Sequence, residues 1–163
     1  MRLAILSDIH DNIWKLDAAL PQIAEADAVI FCGDLCSPFT LLRLAGGAAG
    51  KPVHVVWGNN EGDVRLMLKV IADLSNVTLH GQLAELDCDG LRVAVNHYPE
   101  IARGLAASGW YDLVCYGHDH KAFEERLGDT VLLNPGEMMG MYGRSTFAVF
   151  DTATRTVTFV EIQ

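Results

Sequence analysis

The chain opens Met1-Arg2-Leu3-Ala4-Ile5-Leu6-Ser7-Asp8-Ile9-His10-Asp11-Asn12, and the rest of the sequence is read outward from this stretch. Arg2 to Ser7 has the length and apolar character of a buried strand. A polar cluster follows at once, and then Ile13, Leu16, Leu20 and Ile23 recur at the spacing of one helix face, with Asp11 or Asn12 as the N-cap. The order strand, polar loop, helix then repeats. Ala28 to Cys32 is a second strand, and Ser37-Pro38 opens a helix with a cap residue followed by proline at the first helical position, ending at Gly46-Gly47. Pro52 to Trp57 is a third strand, and Leu66, Met67, Val70, Ile71 and Leu74 form the core face of a third helix. Alternating strands and helices imply right-handed crossovers and a mainly parallel sheet.

Beyond residue 75 the pattern changes. Thr78-Leu79, Leu83 to Leu86 and Leu91 to Val95 read as short strands, with the turn Asp87-Cys88-Asp89-Gly90 between the last two. A helix near Pro99 to Ala107 leads to the apolar run Leu113 to Tyr116. Four further strands fall at Ala122 to Leu127, Val131 to Leu133, Thr146 to Phe150 and Thr156 to Ile162. The expected architecture is α/β, with two packed mixed β-sheets flanked by helices, parallel early and largely antiparallel late. No repeat, linker or low-complexity tract divides the chain, so residues 1–163 read as a single domain. A domain of this length buries roughly two thirds of its unfolded surface, so its core needs no disulfide or structural metal.

Charge and composition exclude several function classes. The 12 basic and 21 acidic residues give a formal charge of −9, which opposes binding to long nucleic acid. A short phosphate ester is still admissible, because bound cations reverse the local sign. No apolar run approaches the length of a membrane span. The first strand reaches Asp8 too soon for a signal-peptide apolar region, so a cytoplasmic location is expected. None of the cysteines 32, 36, 88 and 115 forms a C-x-x-C pair, and they read as free thiols.

The metal-capable side chains fall in one pattern. Asp8 and His10 follow the first strand, Asp34 the second and Asn59 the third. His97 follows the strand ending at Val95, while His118 and His120 follow the strand ending at Tyr116. Loops at the carboxyl ends of strands converge in α/β sheets, which is where ligands bind. A donor set of Asp, His and Asn without cysteine suits Mn²⁺, Fe, Ni²⁺, Co²⁺ or Zn²⁺ better than a soft thiolate metal. Each fragment alone is weak, since Asp-x-His can be a helix cap and Asn59-Asn60 a simple turn. Their joint occurrence, each directly after an apolar strand, is what carries the reading.

Asp8-x-His10, Gly33-Asp34, Gly58-Asn59-x-Glu61, a lone His97 and Gly117-His118-Asp119-His120 together resemble the signature of the calcineurin-like metallophosphoesterases, in their small single-domain bacterial and archaeal phosphodiesterase branch. The resemblance runs from about residue 3 to Gly136 and implies a four-layer α/β sandwich. It also implies two divalent metal ions, Mn²⁺ foremost. One would be held by Asp8, His10, Asp34 and His120, and the other by Asp34, Asn59, His97 and His118, with Asp34 bridging. A hydroxide between the metals would attack phosphorus in line, with Asp34, Asn59, Asn60 and His97 as the catalytic set. The substrate would be a small phosphodiester, nucleotide-derived ones included. The alternatives are a phosphomonoesterase or a catalytically weak scaffold of the same fold.

This chain departs from the family pattern at two positions. Many relatives carry His after the Asn ligand, where it can protonate the leaving group; here Asn60 stands there. Asn134-Pro135-Gly136 resembles the family's turn near the site, but Glu137 follows where Ser is common. Asn12 and Arg144 are candidate substrate contacts, Asn12 reading equally well as a helix cap. Phe39, Met138, Met139 and Met141 suggest a self-association face and so a homodimer. Trp14, Trp57 and Trp110 read as core or interface residues, and His54 and His80 as structural or exposed.

Overall fold

The computed structural model describes all of residues 1–163. Strand β1 (Arg2–Leu6) is buried on both faces, and its alternation assigns each side chain to a layer. Ala4 and Leu6 face the helices, while Leu3 and Ile5 face a second sheet. β1 pairs in parallel with β2 (Ala28–Phe31), β2 with β3 (Val53–Val55) and β3 with β4 (Val77–Leu79). The connecting helices are α1 (Ile13–Ile23), α2 (Pro38–Gly47) and α3 (Val64–Ala72).

Local chemistry starts each helix. Asn12 caps α1 by accepting from Lys15 N, Ser37 caps α2 by accepting from Phe39 N, and Asp63 caps α3 by accepting from Leu66 N. Leu16, Ala19 and Ile23 of α1 meet Leu41, Leu44 and Ala45 of α2 over the outer face of this sheet. Gly47 is the last residue of α2, as expected. A Cβ there would collide with the Leu20 side chain, so the glycine is what lets α1 and α2 approach. Only Met67 of α3 is fully buried, because this helix packs on α2 and the edge strand β4 rather than over the sheet centre.

The second sheet contains β5 (Leu83–Cys88), β6 (Leu91–Asn96), β7 (Leu113–Cys115), β8 (Ala122–Leu127) and β9 (Thr130–Pro135), ordered β5-β6-β7-β9-β8. Its centre, β6-β7-β9, is parallel, and antiparallel pairing is confined to the edge strands β5 and β8. Counting the terminal hairpin, the second half is largely antiparallel as expected, and the parallel centre of this sheet is the part the sequence did not single out. The helix α4 (Pro99–Ala107) is the crossover between β6 and β7, packing Ala102 and Ala106 on Val114 and Leu132. The terminal hairpin, β10 (Ser145–Asp151) and β11 (Thr156–Ile162), returns to the first sheet and pairs β10 antiparallel to β1.

The result is four layers: α1–α3, the first sheet, the second sheet, and α4. Between the sheets lie Ile30, Cys32, Val95, Cys115, Leu133 and Phe150, so the buried cysteines pack there as small apolar groups. One expectation narrows at the surface and another fails. Trp14 and Trp110 are 77% and 70% exposed, which leaves the interface rather than the core half of their reading, while Met138 is fully buried and contributes to no surface face. No helix is long and apolar enough to cross a membrane.

Phe147 is fully buried on β10, whereas Phe159, on the neighbouring β11, is 39% exposed. Phe147→Ala is expected to lower unfolding free energy by about 3–5 kcal/mol, and Phe159→Ala to cost well under half as much. Urea titration of both variants checks the contrast.

Candidate metal centre

The parallel strands of both sheets direct their carboxyl ends to one edge. There β1 delivers Asp8 and His10, β2 delivers Asp34, β3 delivers Asn59, β6 delivers His97, and β7 delivers His118 and His120. Backbone hydrogen bonds lock these loops together. Asp8 N donates to Gly33 O at 3.0 Å, His10 N to Asp34 O at 3.1 Å, and Gly117 N to His97 O at 3.0 Å. Glu61 adds a junction of its own. Its carboxylate accepts from the backbone N–H groups of Asp34, Leu35, Cys36 and Gly58, so one side chain ties the loop after β2 to the loop after β3. Burial pushes the Glu61 carboxyl up, and those N–H groups oppose the shift by favouring its charged form.

The backbone is strained where the donors sit. Asp8, His10, Asp34, His118 and His120 all adopt positive φ, between 44° and 73°. Such conformations cost about 1–3 kcal/mol each and cluster at functional sites. Glycines leave the necessary space. A Cβ on Gly58 would occupy the position of Asp34 Oδ1, and one on Gly117 would collide with Ser7 Oγ and lie 2.7 Å from Asp8 Oδ2.

Asp34 Oδ2 lies 3.5 Å from His10 Nε2 and 3.5 Å from His97 Nε2. Asp8 Oδ1 lies 3.7 Å from His10 Nε2 and 3.4 Å from His120 Nε2. Asn59 Oδ1 approaches His97 Nε2 at 3.0 Å and His118 Nδ1 at 2.8 Å. Donor atoms of Asp8, His10 and His120 thus form one compact group, and those of Asp8, Asp34 and His97 a second that Asn59 and His118 adjoin. Asp8 therefore enters both groups, which the sequence reading did not anticipate.

The residues fit divalent cations on physical grounds. Asp8 Oδ1 and His10 Nε2 are buried without any hydrogen-bond partner. His97 Nδ1 meets the Cys32 carbonyl at 2.7 Å, and a carbonyl only accepts, so that nitrogen carries the proton. In neutral His97 the lone pair on Nε2 then faces two acceptor oxygens, of Asp34 and Asn59. Acceptors converging on acceptors are repulsive unless a proton or a metal ion lies between them. Without metal, protons fill that role: the adjoining Asp8 carboxylate raises His10 against burial, and for His97 burial is outweighed by the neighbouring Asp34 carboxylate. Burial likewise opposes ionisation of Asp34, but His97, Asn60 N and His10 hold its carboxyl below the usual range.

The remaining candidates fall around this group. Asn60 N donates to Asp34 Oδ1 at 2.8 Å, and the Asn60 side-chain amide lies 3.3 Å from His10 Nδ1. Asn12 is engaged at both ends, capping α1 through Oδ1 and donating through Nδ2 to Met139 O. Arg144 lines a cavity of about 350 Å³ with His120, Lys121 and Tyr142, and lies 3.6 Å from Glu161. His54 and His80 bond to each other at 3.0 Å, apart from the site. Sequence reasoning missed Glu137, which is 1% exposed and meets His120 Nδ1 at 2.8 Å. The only signal was its departure from the family residue after Asn-Pro-Gly.

Strand-end carboxylates and imidazoles converging in two compact donor groups make a candidate metal centre, and the comparisons with known proteins give it a family. The model for the calcineurin-like phosphoesterase superfamily domain matches residues 1–155. The chain is 27% identical to a phosphodiesterase of Methanocaldococcus jannaschii, over 93% of each chain. It is 30% identical to a Bacillus subtilis protein named "probable metallophosphoesterase YsnB", over 85% of this chain and 75% of that one. A solved archaeal phosphodiesterase superposes with a TM-score of 0.91 at 25% identity, covering 99% of this chain and all of the other. The chain belongs to the calcineurin-like phosphoesterase superfamily, and is a metal-dependent phosphoric ester hydrolase.

If cations occupy these groups, chelation destabilises the fold. Mn²⁺ at one hundred times its dissociation constant is expected to stabilise the chain by about 2.7 kcal/mol per site, raising Tm by about 5–10 °C. In Gly58→Ala the added methyl displaces Asp34 Oδ1, and the increment is expected to shrink sharply. Thermal melts with chelator and with Mn²⁺ check both statements.

Proposed function

We propose that residues 1–163 act as one domain that hydrolyses small phosphodiesters, nucleotide-derived ones among them, at a binuclear manganese centre. The observation that carries this reading is the placement of Asp34 Oδ2, 3.5 Å from imidazole nitrogens of both His10 and His97. A carboxylate so placed is suited to bridge. Asp8, His10, Asp34 and His120 would hold one ion, and Asp34, Asn59, His97 and His118 the other. Two divalent ions bound there would supply an acidified water as nucleophile and neutralise charge on the phosphoryl oxygens during in-line displacement.

The chain's own residues do the positioning. Asp34 is fixed by Asn60 N on one oxygen, which leaves the other for the donor groups. Asn59 contributes a neutral oxygen, so it adds a donor without reducing the positive charge the phosphate needs. Asn60 holds His10 through its amide and orients the phosphate by hydrogen bonding, but an amide is no acid near neutral pH. A proton for the leaving group must then come from water, which favours esters with good leaving groups. Lys121 and Arg144 beside the cavity next to His120 offer cations for the distal part of an anionic substrate. The diester preference is supported by relatives that are named phosphodiesterases. A cytoplasmic setting fits four cysteines that are all free thiols. The homodimer reading rests on Phe39 and Met141, exposed by 70% and 69%.

Purified chain loaded with Mn²⁺ is expected to hydrolyse an aryl phosphodiester faster than the matching monoester, and Asp34→Asn to reduce both to background. Faster turnover of the monoester would overturn the diester assignment, while turnover unaffected by Asp34→Asn would overturn the bridging role. A second expectation concerns the proton donor. General acid catalysis contributes about 10²–10⁴-fold, so Asn60→His should accelerate substrates with poor leaving groups most and flatten the dependence of rate on leaving-group pKa. An unchanged slope would remove the missing-acid account.

A further inference from the structure

The feature that the reaction outlined above leaves unused is the carboxylate of Glu137. It stands two residues beyond the end of β9 and is 1% exposed. Isolated burial of a carboxylate is costly, so its partners are informative. Oε1 accepts from Tyr142 N at 2.6 Å and Oε2 meets His120 Nδ1 at 2.8 Å. Both oxygens are thus committed, one to the loop that follows and one to a metal-facing imidazole. Tyr142 closes the same corner, its ring edge-on to His120 with centroids 5.3 Å apart.

An ionised carboxylate only accepts, so the hydrogen in this contact belongs to His120 Nδ1. The other nitrogen, Nε2, then faces Asp8 Oδ1 at 3.4 Å and is the ligating atom. Glu137 meets the opposite nitrogen of the ring, so it acts through His120 and not as a ligand. The other imidazoles are backed differently. His97 Nδ1 has the neutral Cys32 carbonyl, and His10 Nδ1 has the neutral Asn60 amide and Cys36 thiol near it. Only His120 is backed by an anion. An anionic partner raises the basicity of a ligating imidazole and fixes its tautomer and ring orientation, and losing such a partner typically costs about 10–100-fold in metal affinity.

Resting on the two-ion reading, we propose that Glu137 is a positioning residue that, acting through His120, tightens the ion held by Asp8, His10 and His120 and widens that site's lead over the other. The two sites already differ by the Asp8 carboxylate on one side against the neutral Asn59 on the other. The carboxylate behind His120 adds to that difference, so metal-free protein fills the His120 side first.

The test is calorimetric titration of metal-free protein with Mn²⁺ for wild type, Glu137→Gln, His120→Ala and the double variant. Wild type is expected to bind in two resolved steps. Glu137→Gln should weaken the tighter step by about 10–100-fold and leave the weaker step within about twofold. In the His120→Ala background, Glu137→Gln should change nothing further, a result that a general structural role would not produce. Glu137→Asp keeps the charge but is too short to serve both partners. It should weaken the same step less, and it takes the place of Glu137→Gln should that variant not fold. Equal weakening of both steps, no weakening of either, or an effect that persists without His120 would overturn the proposal. Wild type that binds no Mn²⁺ would sink the binuclear reading as well, whereas two wild-type steps with an unmoved first step would sink the role of Glu137 alone.

Discussion

Two carboxylates, Asp8 and Asp34, are buried side by side, at 0% and 2% exposure, with no lysine or arginine to balance them. Their charged partners are imidazoles alone. A buried charge costs several kcal/mol unless it is paired and hydrogen-bonded, so the surroundings are organised around that demand. Asp34 Oδ1 accepts from Asn60 N, and Asp8 Oδ2 accepts from His118 N. The remaining oxygens are left toward His10, His97 and His120. The left-handed backbone at five donor-bearing residues aims the side chains inward, and the interlocked loops hold that strain in place. Glu61 does for the loop backbone what Asp34 does for the donors: one carboxylate collects groups from two strand ends.

Much of this was legible in the sequence, for local reasons. Caps at Asn12 and Ser37, the helix Pro99–Ala107 and the strands Ala122–Leu127 and Thr156–Ile162 depend on short-range chemistry and periodicity, and they fall where the sequence placed them. The residues forming the donor groups were legible because each follows directly on an apolar strand. What escaped depends on distant partners. The role of Glu137 is set by His120, 17 positions away. The parallel centre of the second sheet was missed because β7 is only three residues long and gives little periodicity to read. Gly46-Gly47 ends α2 where the sequence placed it, but that the missing Gly47 side chain also makes room for Leu20 of α1 depends on a distant partner.

The field around the site follows from the same economy of charge. A chain of formal charge −9 repels anions at long range, yet Lys121 and Arg144 sit beside the cavity next to His120. The acidic donor set turns electropositive only when cations occupy it. Attraction for a phosphate ester is therefore conditional on metal loading, and an unloaded molecule presents a repulsive mouth.

The hydrogen bond from His118 N to Asp8 Oδ2 joins residues 110 positions apart and belongs to opposite sheets. Donors of each compact group likewise come from loops brought together only when the sheets have closed on each other. No fragment of the chain holds a complete group during synthesis, since His120 emerges long after Asp8. Long-range closure of this kind is slow compared with helix formation. A cation bound by a complete group would therefore be captured only after the sheets have closed, and partly folded chains would have no assembled trap in which to sequester it.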